Sequence, residues 1–149
     1  MVAIKLYLTV HRKVLPMSNK IIIDREHVNS AYTYACKRNN TIYIYRTEEW
    51  FKVFIHETFH AFGIDFANQD NRVVEHHMRS IFDTNNDVRC YEAYSEFWAT
   101  LINAIFISYM NTPYENNDSL WEENTMNMLV HLLDQEHRFS MYQCCKILH

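Results

Sequence analysis

The stretch His56-Glu57-Thr58-Phe59-His60 constrains this chain more than any other feature of its 149 residues. Two histidines four residues apart on a helix project from the same face, because four residues advance only slightly beyond one turn. Their imidazole nitrogens can therefore share one metal ion, and the glutamate between them can reach a water molecule on that ion. The spacing thus predicts a metal site on a helix.

Signals on both sides of the motif define the helix that would carry it. Thr47 is a suitable N-cap, and Glu48 and Glu49 would lie in the first turn, where the helix dipole favours anions. Gly63, the only glycine in the chain, predicts the end of the helix. Apolar residues lie nearly all round the segment between them, which indicates a helix buried through the middle of a domain. Its histidines and glutamate then need polar partners, and a metal ion would provide one.

A zinc site of this kind needs a third protein ligand and leaves one position for water. In the metzincin pattern a third histidine would follow His60 by six residues, but position 66 is phenylalanine, so this class is excluded. Asp65 lies one residue before that position, and His76 and His77 lie in a segment whose structure is hard to predict. We treat all three as weaker alternatives for the third ligand.

The stronger choices for this ligand are Glu92 and Glu96, which lie four residues apart on one face of a strongly apolar helix. Carboxylates are costly in such a helix unless they are paired or bound to a cation. Both are explained if one of them binds the metal and the other accepts a hydrogen bond from a ligand histidine. The spacing alone leaves either glutamate as the ligand.

Together these features resemble the gluzincin group of zinc metallopeptidases, the thermolysin-like arrangement, over about residues 41–110. The resemblance rests on the motif at residues 56–60 and on a later helix that runs E-A-Y-S-E from Glu92 to Glu96. It implies peptide-bond hydrolysis, with Zn²⁺ as cofactor and a peptide or protein as substrate. The zinc ligands that it implies are His56, His60 and Glu92. It further implies that Glu57 is the general base and that Glu96 holds His56 in place.

The expected fold is a single α+β domain over residues 1–149. The resemblance implies a zincin-like architecture, with a small mixed or antiparallel sheet packed on the active-site helix, then a glutamate-bearing helix and a C-terminal helix. Strands are predicted at residues 2–10, 20–24 and 41–46, and helices at residues 31–35, 47–62, 72–82, 88–110 and 120–136. Strand 41–46 corresponds to the edge strand that pairs with a bound peptide in zincins.

Composition argues against several other classes. The net charge is −4 without a basic block, so nucleic acid is not an expected partner. The longest apolar stretch, residues 97–110, is too short to span a bilayer and predicts a buried helix. No secretory signal is visible and the four cysteines form no C-x-x-C pair, so we expect a cytoplasmic protein with reduced thiols. The Gly-poor, Asn- and Tyr-rich composition indicates an AT-rich genome, such as that of a large DNA virus or a parasite.

The sequence leaves other functions open. The chain could be a catalytically inactive zincin that serves as a zinc-stabilised binding or structural module, because no residue is matched to an oxyanion donor. The residues considered for that donor are Tyr91, Tyr94, Tyr109, His131 and His137. The helix could also be purely structural, or the chain could be a helical interaction protein that needs no metal. The sequence indicates no oligomeric state.

Overall fold

A computed structural model describes residues 1–14, 17, 27, 29–83 and 87–148, with side chains described as far as residue 145. Within these residues the protein has one three-stranded sheet and four helices, so the predicted α+β class is confirmed. The strands are β1 (Val2–Thr9), β2 (Ala31–Tyr32) and β3 (Asn40–Arg46). The helices are α1 (Trp50–Phe62), α2 (Arg72–Phe82), α3 (Cys90–Asn111) and α4 (Asp118–Leu148).

The sheet has the order β1-β3-β2. β1 runs parallel to β3, with Ile4 opposite Ile42, and β2 runs antiparallel to β3, with Ala31 opposite Ile44. Successive side chains of β3 alternate between buried and half-buried, because they point to opposite faces of the sheet. The core cluster joins these residues to Ala61 of α1, so the sheet packs on the helix that carries the motif.

Two predictions about the region of the sheet need correction, one of a helix and one of a strand position. The helix predicted through residues 31–35 is wrong, because Ala31 pairs with β3 and the ring of Tyr32 stacks on Tyr43 with 4.6 Å between ring centroids. Strand 41–46 is confirmed, but its edge position is wrong, since β3 lies between the other two strands. The short strand β2 forms the edge on that side of the described sheet. The strand predicted at 20–24 lies outside the described residues.

The start of α1 differs from the prediction. Thr47 is not its N-cap: its hydroxyl donates to the carbonyl oxygens of Leu8, at 2.8 Å, and Thr9, at 3.0 Å. Its side chain therefore links the ends of β1 and β3, and the helix begins only three residues later, at Trp50. The residue before the helix is Glu49, with φ of 54° and no side-chain cap. Tertiary contacts have thus replaced a local capping interaction.

The predicted end of α1 at Gly63 is confirmed. Gly63 has φ of 66°, and its amide donates to the carbonyl oxygen of His60 at 3.2 Å. A Cβ at this position would lie only 2.8 Å from Sγ of Cys36. Glycine is therefore required both by the left-handed backbone and by the close approach of the cysteine.

Burial along α1 is less complete than predicted. Ile55, Glu57 and Ala61 are buried, whereas Trp50 is 39% exposed and Phe62 is 58% exposed. One face of the helix packs on the sheet, where Ala61, Val53 and Phe54 join the core cluster, and the two ends of the helix are exposed. The expectation that this helix is buried on all sides is therefore wrong.

The remaining helices largely follow the prediction. α2 has the predicted bounds, α3 is displaced by one or two residues at its ends, and α4 continues to Leu148. The segment 97–110 is helical but not fully buried, since Phe97, Phe106 and Met110 are each at least half exposed. No helix in the described parts of the chain has the length and apolarity needed to cross a membrane.

Contacts divide the chain into two compact units. The first unit comprises Met1–Arg72 and Arg89–Ala99, and contains the sheet, α1 and the N-terminal part of α3. The second comprises Val73–Val88 and Thr100–His149. Within the second unit the ring of Trp121 contacts Tyr109 and its Nε1–H donates to the carbonyl oxygen of Thr112 at 3.2 Å.

Candidate metal centre

Three side chains of the first unit converge on one point. His56 and His60 extend from successive turns of α1, and Glu92 comes from the first turn of α3. The Nε2 atoms of the two histidines lie 2.9 Å apart. Oε2 of Glu92 lies 3.3 Å from Nε2 of His56 and 3.1 Å from Nε2 of His60. Two imidazole nitrogens and one carboxylate oxygen therefore face one another.

This arrangement fits a zinc ion. Zinc–ligand distances near 2.1 Å and tetrahedral angles place neighbouring ligand atoms about 3.4 Å apart. The three separations here run from 2.9 to 3.3 Å. Two imidazoles and one carboxylate also form a donor set that zinc sites use when a fourth position is open. The cluster of His56, His60 and Glu92 can therefore hold a metal ion.

Each histidine has a second carboxylate at its other ring nitrogen. Nδ1 of His60 lies 2.5 Å from Oδ2 of Asp65. Nδ1 of His56 lies 3.2 Å from Oε2 of Glu96, close enough for an ion pair, although the ring N–H is poorly aligned for a hydrogen bond. Both contacts favour a proton on Nδ1, and this tautomer leaves the Nε2 lone pair free for a metal.

Glu57 lies on α1 between the two histidines and is only 8% exposed. Its carboxylate receives a backbone hydrogen bond from Thr33, but Oε2 is buried without a hydrogen-bond partner among the described residues. Burial raises the pKa of Glu57, against the opposing effect of His56 and His60. A buried carboxyl group with a raised pKa and one free oxygen is suited to accept a proton.

These groups line one cavity of about 620 Å³ in the first unit. Its lining includes the three convergent residues, Glu57 and the segment around β2. Its lining residues beyond those four are Lys13, Asn29, Ser30, Ala31, Tyr32, Thr33, Glu49, Lys52, Val53, Arg89 and Glu96. Two of the three cations have acidic partners, since Lys13 pairs with Glu49 and Lys52 with Glu96.

The electrostatics of the cluster favour charged histidines and carboxylates. Burial lowers the pKa of His56, but its contacts with Glu92 and Glu96 outweigh burial and raise the pKa to about 9. Burial likewise opposes protonation of His60, while Glu92 and Asp65 raise its pKa. The two histidines hold the pKa of Glu92 well below its usual range, and His56 is the main cause that lowers the pKa of Glu96 to about 2. A metal cation would take the place of the protons on the histidines.

The structure distinguishes between the alternatives for the third ligand. Glu92 approaches the Nε2 atoms, whereas Glu96 and Asp65 approach the Nδ1 atoms on the far sides of the rings. His76 and His77 lie on α2, outside the first unit. Of the residues considered from the sequence, Glu92 is the one whose carboxylate joins the two histidines.

Two of the residues considered as oxyanion donors, Tyr91 and Tyr94, lie in the first unit, and the ring of Tyr91 contacts that of His60 with 6.3 Å between ring centroids. Neither Tyr91 nor Tyr94 is among the described lining residues. The ring of Tyr94 instead packs in an aromatic cluster with Phe59, Phe66 and Trp98. The other three candidates, Tyr109, His131 and His137, belong to the second unit. Tyr32 and Arg89 line the cavity and were not anticipated.

Two further residues contact the site, of which the sequence analysis gave Lys52 no role and considered Asp65 only as a metal ligand. Lys52 pairs with Glu96 at 2.5 Å, and its position four residues before His56 places it on the same helix face. That spacing was a usable signal. Asp65 was considered only as a ligand, and its contact with His60 depends on the turn at Gly63, which folds the chain back towards the helix.

Comparisons of this chain with protein-family models, with curated proteins and with solved structures each find no match. The interpretation of the site therefore rests on its own geometry and chemistry.

Proposed function

We propose that this chain is a zinc metallopeptidase of zincin-like fold, with His56, His60 and Glu92 as the zinc ligands. The observation that carries the proposal is the position of Glu57. Glu57 lines the same cavity as the two histidines and Glu92, and its Oε2 is buried without a hydrogen-bond partner among the described residues. A purely structural metal site needs no free carboxylate beside it, whereas hydrolysis needs a general base.

The three ligands would present two neutral nitrogens and one anionic oxygen to the metal, leaving one position open. A bound Zn²⁺ would supply Lewis acidity, which brings the pKa of water towards neutrality and polarises a carbonyl group. Asp65 and Glu96 would keep the two rings in the required tautomer and orientation. Glu57 would accept a proton from the attacking water and deliver it to the leaving amine. Its raised pKa suits both steps, because the protonated form must persist between them.

The cavity offers a place for an extended peptide. In the described sheet β3 occupies one edge of β2, which leaves the other edge available for main-chain hydrogen bonds. Residues 29–33, which include β2, line the same cavity as the histidines. A peptide paired with β2 would bring a carbonyl group near Glu57. β2 therefore takes the role that the resemblance had given to residues 41–46.

The test is hydrolysis of a mixture of quenched fluorescent peptides by the zinc-loaded protein. We expect cleavage that a chelator abolishes and zinc restores. Glu57→Gln should keep zinc but lose at least about 100-fold in rate, because general-base catalysis contributes 10²–10⁴-fold. Glu122→Gln, at an exposed position of α4, is the matched control and should cleave normally. Full activity of zinc-loaded Glu57→Gln would refute the assignment.

One observation favours a second function. None of the five oxyanion donors considered from the sequence is among the described lining residues, so a zinc-stabilised binding module without catalysis is the alternative. That module would bind zinc with the same three ligands but cleave no peptide in the mixture. Zinc content and cleavage, measured on the same preparation, separate the two functions.

A further inference from the structure

Asp65 is a buried carboxylate whose role the proposed reaction leaves unspecified. Its side chain is buried, with only 1% of its surface exposed to solvent. Oδ2 contacts Nδ1 of His60 at 2.5 Å, and Oδ1 accepts a hydrogen bond from the amide of Ala67 at 3.2 Å. No lysine or arginine among the described residues pairs with it. The single positive partner of this buried anion is therefore the imidazole ring of His60.

Glu96 has the corresponding place beside His56 but a different environment. Its side chain is 50% exposed, and Lys52 pairs with its Oε1 at 2.5 Å. Its Oε2 lies 3.2 Å from Nδ1 of His56, with poor alignment of the ring N–H. Solvent and the lysine together offset much of the charge that Glu96 directs at the ring.

We propose that Asp65 is the principal positioning residue of the metal centre, acting through His60, and that Glu96 has the smaller effect through His56. Asp65 accepts a hydrogen bond from Nδ1–H of His60, directs the Nε2 lone pair towards the metal position shared with Glu92, and makes the ring a stronger electron donor. The inference rests on the metal ligands of the proposed function but does not require peptide cleavage.

The cost of burial explains why this interaction is strong. A carboxylate removed from water is stable only if a cation and hydrogen bonds compensate it. When a metal takes the place of the Nε2 proton of His60, the ring keeps positive charge beside Asp65, whereas a neutral ring would not, so metal binding and burial of Asp65 stabilise each other. Glu96 lacks this coupling, because Lys52 already compensates its charge whether or not a metal is present.

The test compares zinc affinities of Asp65→Asn and Glu96→Gln by competition with a chromogenic chelator. Both substitutions keep the size of the side chain and remove its charge. Residues that orient metal ligands typically contribute 10–100-fold in affinity. We expect Asp65→Asn to lose about 10-fold or more and Glu96→Gln to lose clearly less. Equal losses, or a larger loss in Glu96→Gln, would overturn the proposal.

Two controls separate a role of Asp65 in zinc binding from a failure of the proposed function and from a purely structural role. If the wild-type protein fails to bind zinc in the same titration, the proposed function fails as well; if it binds and Asp65→Asn binds equally, only the role of Asp65 fails. A purely structural role would lower the melting temperature of metal-free Asp65→Asn while leaving its zinc affinity unchanged.

A measurement on the wild-type protein covers the case in which Asp65→Asn does not fold. In the zinc-loaded protein labelled with ¹⁵N-histidine, we expect a strongly downfield Nδ1–H proton of His60 that exchanges slowly with solvent. The corresponding proton of His56 should exchange faster, because Glu96 is half exposed and poorly aligned. The absence of an Nδ1 proton on His60, or its faster exchange relative to His56, would contradict the proposal.

Discussion

The Nε2 atoms of His56 and His60 face each other at 2.9 Å, with their rings inclined at 77°. Two neutral imidazoles at this distance can share one proton, whereas two protonated rings repel each other. Glu92 brings a carboxylate oxygen to the same point and attracts positive charge to it. A single metal cation satisfies all three atoms at once, so removal of any one of them should affect the other two.

Replacement of a ligand histidine should remove zinc binding. In His60→Ala two ligands remain, which is too few for a stable protein site, so we expect less than one tenth of the zinc found in the wild type after dialysis against a weak chelator. His76→Ala is the matched control, since His76 is exposed on α2. Metal content measured by atomic emission checks both. Normal zinc content in His60→Ala, or its loss in His76→Ala, would show that the ligand set is wrong.

The two glutamates of α3 should respond differently to the same substitution. Glu92→Gln removes a ligand and should weaken zinc binding by more than the roughly 10–100-fold expected of a residue that only orients a ligand. The loss of zinc affinity in Glu96→Gln should fall within or below that range. Competition with a chelator measures the zinc dissociation constants of both variants. If Glu96→Gln proved the more damaging, Glu96 would be the ligand.

The metal-free protein should lose stability as pH rises above neutrality. The folded-state pKa of His56 is raised from 6.5 to about 9, so its ion pairs contribute fully below about pH 6.5 and are lost as pH rises through about 9. The pKa of Glu96 is lowered to about 2, so its contribution is present above about pH 4.5 and is lost as pH falls towards 2. The free energy of unfolding should therefore be highest between these two limits, at about pH 4.5–6.5.

Urea titrations of metal-free protein at several pH values measure this profile. His56→Ala should show a flatter dependence between pH 6.5 and 9, because the raised pKa is absent. The assigned ion pairs would be contradicted if the wild-type protein gained stability over that interval. They would also be contradicted if the free energy of unfolding of His56→Ala depended on pH as steeply as that of the wild type.

Replacement of Gly63 should destabilise the first unit. Gly63→Ala places a Cβ on a backbone with φ of 66° and only 2.8 Å from Sγ of Cys36. The left-handed conformation alone costs an alanine about 1–2 kcal/mol, and the contact adds to it. Chemical denaturation measures the loss. In a Cys36→Ala background the loss should be smaller, because Sγ is gone; an equal loss in both backgrounds would exclude the steric contribution.

Much of the site could be predicted from the sequence because its residues follow helical periodicity. The pairs at 56 and 60 and at 92 and 96 each lie on one helix face, and the four-residue spacing is a property of the helix itself. Helical spacing could not predict which of the two glutamates, at 92 or 96, approaches the two histidines. The orientation of α3 relative to α1 decides it, and this orientation depends on packing.

Other features depended on contacts between distant segments. Ala31 and Tyr32 have no local pattern of a strand, and they form β2 only because β3 lies beside them. Thr47 has a good local reason to cap a helix, yet its hydroxyl donates to carbonyl groups at the end of β1 and the helix begins only at Trp50. Asp65 reaches His60 only through the turn at Gly63. In each case a partner far along the chain or a turn overrides the local preference.

The ligand set has a topological consequence for the chain. His60 and Glu92 are separated by 32 residues, so a metal held by both would act as a cross-link that closes a loop of this length. By the relation used for disulfides, such a closure removes unfolded-state entropy worth about 4 kcal/mol at 25 °C. The metal would then act as a reversible cross-link between α1 and the start of α3, present only when zinc is available.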